Sequence, residues 1–119
     1  MFNFVKNALF LYKGGKMRFI KPSSLNGKSF ILDVRTAEEY RRASLKIPHI
    51  HQELSHLRPI EFIKENGLTA DDTVNILCAS GNRASQAAEM FEKAGFDNVT
   101  VIIGGIVEAE YSGLEIVKH

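Results

Sequence analysis

From Lys16 onward the chain alternates short apolar runs with amphipathic stretches, and that alternation predicts an α/β domain. The sheet is expected to be mainly parallel, with about five strands and helices on both faces. Met17 to Ile20 reads as a short strand, and Pro22-Ser23-Ser24-Leu25 as one helical turn. Phe30-Ile31-Leu32 reads as a buried strand that runs into Asp33-Val34-Arg35. Thr36 to Glu39 has the form T-x-x-E, a capping box, with acids in the first turn of a helix predicted through about Arg42.

Ile47 to Ile50 has the composition of a short strand. Gln52 to Glu65 reads as helix, apolar at Leu54, Leu57, Phe62 and Ile63, with Pro59 splitting it or opening a second piece and Asn66-Gly67 ending it. Thr73 to Cys78 is the clearest buried strand. After Ser80-Gly81-Asn82-Arg83 comes a helix with Ala84, Ala87, Ala88, Phe91 and Ala94 on one face and Gly95 in the C′ position. Val99 to Ile103 is expected to be the last strand, followed by Gly104-Gly105 and a short helix from Ile106 to Tyr111.

The first 15 residues stand apart. Phe2, Val5, Leu9 and Tyr12 recur at helical spacing, and Gly14-Gly15 reads as a joint, which divides the chain into a leader (1–15) and a domain (16–119). The apolar run Ala8 to Tyr12 is five residues long, too short for a membrane span, and no small-residue cleavage site follows. The leader is therefore read as a helix docked on its own domain or a disordered extension. A membrane-surface or partner-docking segment through residues 2–12 is the sharper alternative.

Composition narrows the function classes. At 119 residues the chain holds one domain, and 45% apolar with 24% charged residues is ordinary for a soluble globular protein. A net charge of +1 supplies no field to gather nucleic acid or anionic membrane. The one cysteine, Cys78, excludes an intramolecular disulfide framework and a Cys-rich zinc site, and fits a reducing, cytoplasmic setting.

Cys78 also stands where chemistry is expected. It ends an apolar parallel strand at the point where a Gly-containing loop turns into a helix, and open α/β sheets bind ligands at the carboxyl ends of their strands. The loop Ala79-Ser80-Gly81-Asn82-Arg83 can aim successive N–H groups at one spot and so form an anion cradle. The helix N-terminus and the Arg83 charge would add to it. All three favour a thiolate, the form a cysteine nucleophile needs.

Three motifs, in order, resemble those of the rhodanese or single-domain sulfurtransferase family. Cys78-Ala79-Ser80-Gly81-Asn82-Arg83-Ala84 matches C-x-x-G-x-R followed by a small residue. Leu32 to Tyr40 looks like L-D-V-R-x-x-x-E-Y, and Ala94 to Val99 with Gly104-Gly105-Ile106 looks like A-G-F-x-N-V and G-G-I. The resemblance implies a rhodanese-like fold and a sulfane sulfur carried as a Cys78 persulfide. The donor would be thiosulfate, a polysulfide or a persulfide, and the acceptor cyanide, a thiol or a thioredoxin-like protein. It implies no metal or organic cofactor, and a structural role for Asp33 and Arg35 near the site. With no second cysteine in the chain, discharge of the sulfur must be intermolecular.

Tyrosine phosphatases and their rhodanese-fold relatives place five residues between Cys and Arg, where this chain has four, so phosphatase or arsenate reductase activity is the weaker reading. A non-catalytic rhodanese-like binding or regulatory module is the competing class. The chain departs from the family at Ala43 to Pro48, where G-H-I-x-G-A is usual, and lacks the Trp common after G-G-I. His49, His51 and His56 are expected to be packing or surface residues, because no acidic or cysteine ligand accompanies them at metal spacing.

Overall fold

The computed structural model describes residues 17–119. The expected leader helix and its apolar face at Phe2, Val5, Leu9 and Tyr12 lie outside the described residues. Five parallel strands form the central sheet: β1 (Arg18–Ile20), β2 (Phe30–Asp33), β4 (Ile50–His51), β5 (Val74–Leu77) and β6 (Val99–Ile102), in the spatial order β1-β6-β5-β2-β4. The helices are α1 (Ala37–Arg42), α2 (Pro59–Glu65), α3 (Asn82–Lys93) and α4 (Gly105–Tyr111). This is the expected α/β architecture.

Strand alternation divides the core in two. Leu32, Val74, Ile76, Val99 and Val101 pack with Phe62 of α2 and Ala84, Ala87, Ala88 and Phe91 of α3. Ile31, Leu77 and Ile102 point the other way, onto Leu25, Leu45 and Ala109 of α4. The central strands β5 and β6 are buried at every position, as strands covered on both faces must be. Three fully buried alanines on α3 let its axis lie close to the sheet, while Phe91 fills the space beyond them edge-on to Phe62.

Three expectations are corrected. Ile47 to Ile50 does not form one strand; only Ile50 enters β4. Pro48 has no N–H for a ladder, and the Lys46 N–H is already donated to the Glu115 carbonyl. Instead Ala43–Leu45 forms β3, antiparallel to a terminal strand β7 (Ile116–Lys118), so Val99 to Ile103 is not the last strand. The helix expected from Gln52 shrinks to a 3-10 turn at Leu54–His56, followed by α2. Gln52 and Leu54 spend their N–H groups on the Asp33 and Val34 carbonyls, and Arg58, next to Pro59, is held extended (φ −122°).

Candidate functional site

The site is assembled at the carboxyl end of β5. Because Ile76 and Cys78 share the α3 side of the sheet, the last turn of the strand delivers the Cys78 side chain toward the start of α3. There it is 1% exposed. The chain must then reverse within three residues, and Gly81 makes this feasible by taking φ +114°, a region that disfavours any side chain. With that turn made, the Gly81 N–H donates to Cys78 Sγ at 2.7 Å. Gly81 is also the N-cap of α3, so the sulfur stands at the N-terminus of a 12-residue helix, where backbone N–H groups have no partner within the helix.

A second segment closes the loop from behind. Gly104 and Gly105 both take positive φ (75° and 61°), and Ile106 N–H donates to the Cys78 carbonyl at 2.9 Å. Any Cβ on Gly105 would collide with the Cys78 and Ala79 carbonyl oxygens. The glycine pair is thus a requirement of the close approach between α4 and the loop. The motif resemblance included these glycines, but their contact with the loop is visible only in three dimensions.

Arg83 makes a contact that its sequence position does not disclose. Its guanidinium meets the Glu39 carboxylate with two near-parallel hydrogen bonds, Nη1 to Oε1 at 2.7 Å and Nη2 to Oε2 at 2.9 Å. Glu39 is also the N3 residue of the α1 capping box. Its Oε1 accepts from the Thr36 N–H at 3.0 Å, while the Glu39 N–H donates to Thr36 Oγ1 at 3.2 Å. The Arg83 hydrogen bond, reinforced by Thr36, holds the Glu39 carboxyl down from 4.5 to about 2. Glu39 raises the pKa of Arg83 in turn, and nearby Cys78 adds to that. The positive charge expected to stand free beside the cysteine is compensated.

Asp33 and Arg35 form a buried pair with 0% and 3% of the residue exposed. Arg35 Nη2 lies 2.7 Å from Asp33 Oδ2 and 2.8 Å from the Ala43 carbonyl, and Asp33 Oδ1 accepts the Arg35 N–H at 3.0 Å. The pair ties the end of β2 to the start of β3, the kind of structural place expected for it. His51 donates from Nε2 to the Arg35 carbonyl and stacks on the Tyr40 ring at 4.1 Å. His49 bridges the Ile47 carbonyl at 2.8 Å and the Tyr40 hydroxyl at 2.6 Å. These contacts fix its neutral form, with Nδ1 the donor and Nε2 the acceptor. Both histidines are thus engaged with Tyr40 and backbone, and no group of three His, Cys, Asp or Glu among the described residues is placed to hold a metal.

The structure therefore brings Cys78, Ala79, Ser80, Gly81, Asn82 and Arg83 into one turn around the sulfur. Ser80 and Asn82 lie on its exposed side, and Asp33 and Arg35 stand at the adjoining strand end. Two residues that sequence reasoning did not assign to the site, Glu39 and Gly105, control the loop. For Glu39 the signal was its double duty in T-x-x-E and in the E-Y motif.

Comparison with known proteins points the same way. The model of the rhodanese-like domain family matches residues 20–110. A putative sulfur carrier protein, YrkF of Bacillus subtilis, is 35% identical over 92 residues, covering 76% of this chain and 44% of that protein. The thiosulfate:glutathione sulfurtransferase of Saccharomyces cerevisiae is 31% identical over 84 residues, covering 64% of this chain and 60% of that one. The chain thus spans between two fifths and two thirds of the length of these curated relatives. Among solved structures, a rhodanese-related protein from Thermoplasma volcanium superposes with a TM-score of 0.68 at 31% identity, covering 84% of this chain and 97% of that one.

Proposed function

The chain belongs to the rhodanese-like family, and from that membership we propose that it is a sulfurtransferase that carries a sulfane sulfur on Cys78. The observation that carries the reading is the Gly81 N–H donating to Cys78 Sγ at 2.7 Å, within a loop that opens onto a helix N-terminus. Such a loop stabilises negative charge on sulfur by dipoles that need no reorganisation when the charge arrives. The relatives' names supply the chemical classes: sulfur carriage for one, thiosulfate as donor and glutathione as acceptor for the other.

In the first half-reaction the Cys78 thiolate attacks the outer sulfur of a donor. The donor's S–S bond breaks and its electron pair leaves with the departing sulfite or thiolate. Cys78 then holds a persulfide whose terminal sulfur takes up the N–H groups of residues 79–83. In the second half-reaction an external thiolate or cyanide attacks that terminal sulfur, the new S–S bond breaks, and Cys78 returns as thiolate. Cys78 is the sole cysteine of the chain, so the acceptor is another molecule, a small thiol or a thioredoxin-like protein. The four residues between Cys78 and Arg83 favour a cradle for one sulfur over one for a phosphoryl group.

Mass measurement after incubation with thiosulfate, a polysulfide or glutathione persulfide tests the reading. The expected result is a gain of one sulfur that cyanide removes and that is absent in Cys78→Ser. No gain with any donor overturns the reading and leaves a non-catalytic module.

A further inference from the structure

The charge around the loop bears on which donor it takes. Ala79, Ser80, Gly81 and Asn82 carry no charge, so Arg83 is the one charged side chain between Cys78 and the body of α3. Both ends of its guanidinium fork are occupied by Glu39, at 2.7 and 2.9 Å. Glu39 is itself anchored by Thr36 in the α1 capping box, so it is not a mobile counterion that a substrate could displace at little cost. The neighbouring Arg35 is likewise committed, to Asp33 and to the Ala43 carbonyl. What the loop presents to a ligand is therefore backbone N–H dipoles beside a neutralised ion pair.

A dianion that leaves water for such a place loses hydration that only a net countercharge restores. A donor that is neutral or singly charged at its sulfur loses far less. We infer that Glu39, by compensating Arg83, sets the donor preference of the site toward hydropersulfides, R–S–SH, and against dianionic thiosulfate. The inference rests on the sulfurtransferase reading above and narrows its substrate class. The step it favours is balanced: Cys78–S⁻ and R–S–SH give Cys78–S–S⁻ and R–SH. The donor's S–S bond breaks, a Cys78 S–S bond forms, and the proton passes from the outer sulfur to the departing thiolate. No oxidant or reductant is consumed.

Glu39→Gln tests this with little disturbance of the fold, because Gln also serves as the N3 residue of a capping box. Rates of sulfur loading are measured by mass on wild type and variant, with thiosulfate and with glutathione persulfide as separate donors, at low and high salt. The wild type is expected to load faster from the persulfide. In the variant the thiosulfate-to-persulfide rate ratio should rise by roughly threefold or more at low salt, and the rise should shrink at high salt as the uncovered Arg83 charge is screened. A purely structural role for Glu39 would slow both donors together and leave the ratio unmoved, and that result overturns the inference. So does a wild type that loads faster from thiosulfate. Loading from neither donor removes the sulfurtransferase reading itself, a distinct outcome.

Discussion

Gly105 lies so close to Cys78 that a methyl group on its α-carbon would strike the Cys78 carbonyl oxygen, while the next N–H, that of Ile106, bonds to the same oxygen at 2.9 Å. The loop around the sulfur is thus held by two layers of backbone, its own turn at Gly81 and the glycine turn behind it. Glu39 and Arg83 clamp it from a third side. The shape of the cradle is a property of three separated segments.

Gly105→Ala should consequently damage the site more than its size suggests. Its backbone is in the left-handed region (φ 61°), and the new methyl faces rigid carbonyls, so the loop must shift. A displacement of about 1 Å is expected to slow sulfur loading by on the order of tenfold to a hundredfold. Gly113→Ala is the control: it has positive φ but open space around it, so it should cost stability and leave loading per folded molecule unchanged. Loading rates and thermal midpoints of the two variants check this.

The buried pair predicts a different signature. Arg35→Met leaves the Asp33 carboxylate, at 0% exposure, without its guanidinium partner. The expected loss is about 3–5 kcal/mol in urea unfolding, and Asp33→Asn should be costly for the same reason. The double variant should lose clearly less than the sum of the two, because each single change strands the other's partner.

Acid sensitivity should trace to Glu39. Its carboxyl is held at about 2 in the folded protein against an ordinary 4.5. A depressed carboxylate stabilises the fold fully above its unfolded value, and that contribution fades as pH falls through the folded one. Stability should therefore drop between pH 4.5 and about 2. The Glu39 share is no more than about 1–2 kcal/mol, since solvent screens a pair this accessible. Glu39→Gln should flatten that part of the stability–pH curve, as measured by urea unfolding at stepped pH.

Phe91 anchors the α3 face of the core, fully buried and in ring contact with Phe62 and Phe96. Phe91→Ala should cost about 3–5 kcal/mol, the range for emptying an aromatic site that cannot collapse. Chemical denaturation with an unchanged m-value would show that the loss is in packing and not in the unfolded state.

Local signals carried much of this fold into the sequence. The capping box at Thr36, the apolar run of β5 and the alanine face of α3 all appear where their patterns place them, because each depends on neighbours within a few residues. Pairing decided what those patterns could not. Ala43–Leu45 becomes a strand because Ile116–Lys118 returns to lie beside it, across more than seventy residues of chain. Gln52 to Arg58 fails as helix because its first N–H groups already serve the β2 end.

The same division holds at the site. By itself the sequence determined that a lone cysteine ends a buried strand, that a glycine turn follows it, and that an arginine opens the next helix, since all three lie within six consecutive residues. Only the tertiary structure decided what surrounds that turn. Glu39 reaches Arg83 across 44 positions, and Gly105 lies against Cys78 from the far end of another strand. Charge compensation and close backbone approach act through space and leave no local pattern in the chain. So the nucleophile could be read from sequence, whereas the electrical character of its pocket required the fold.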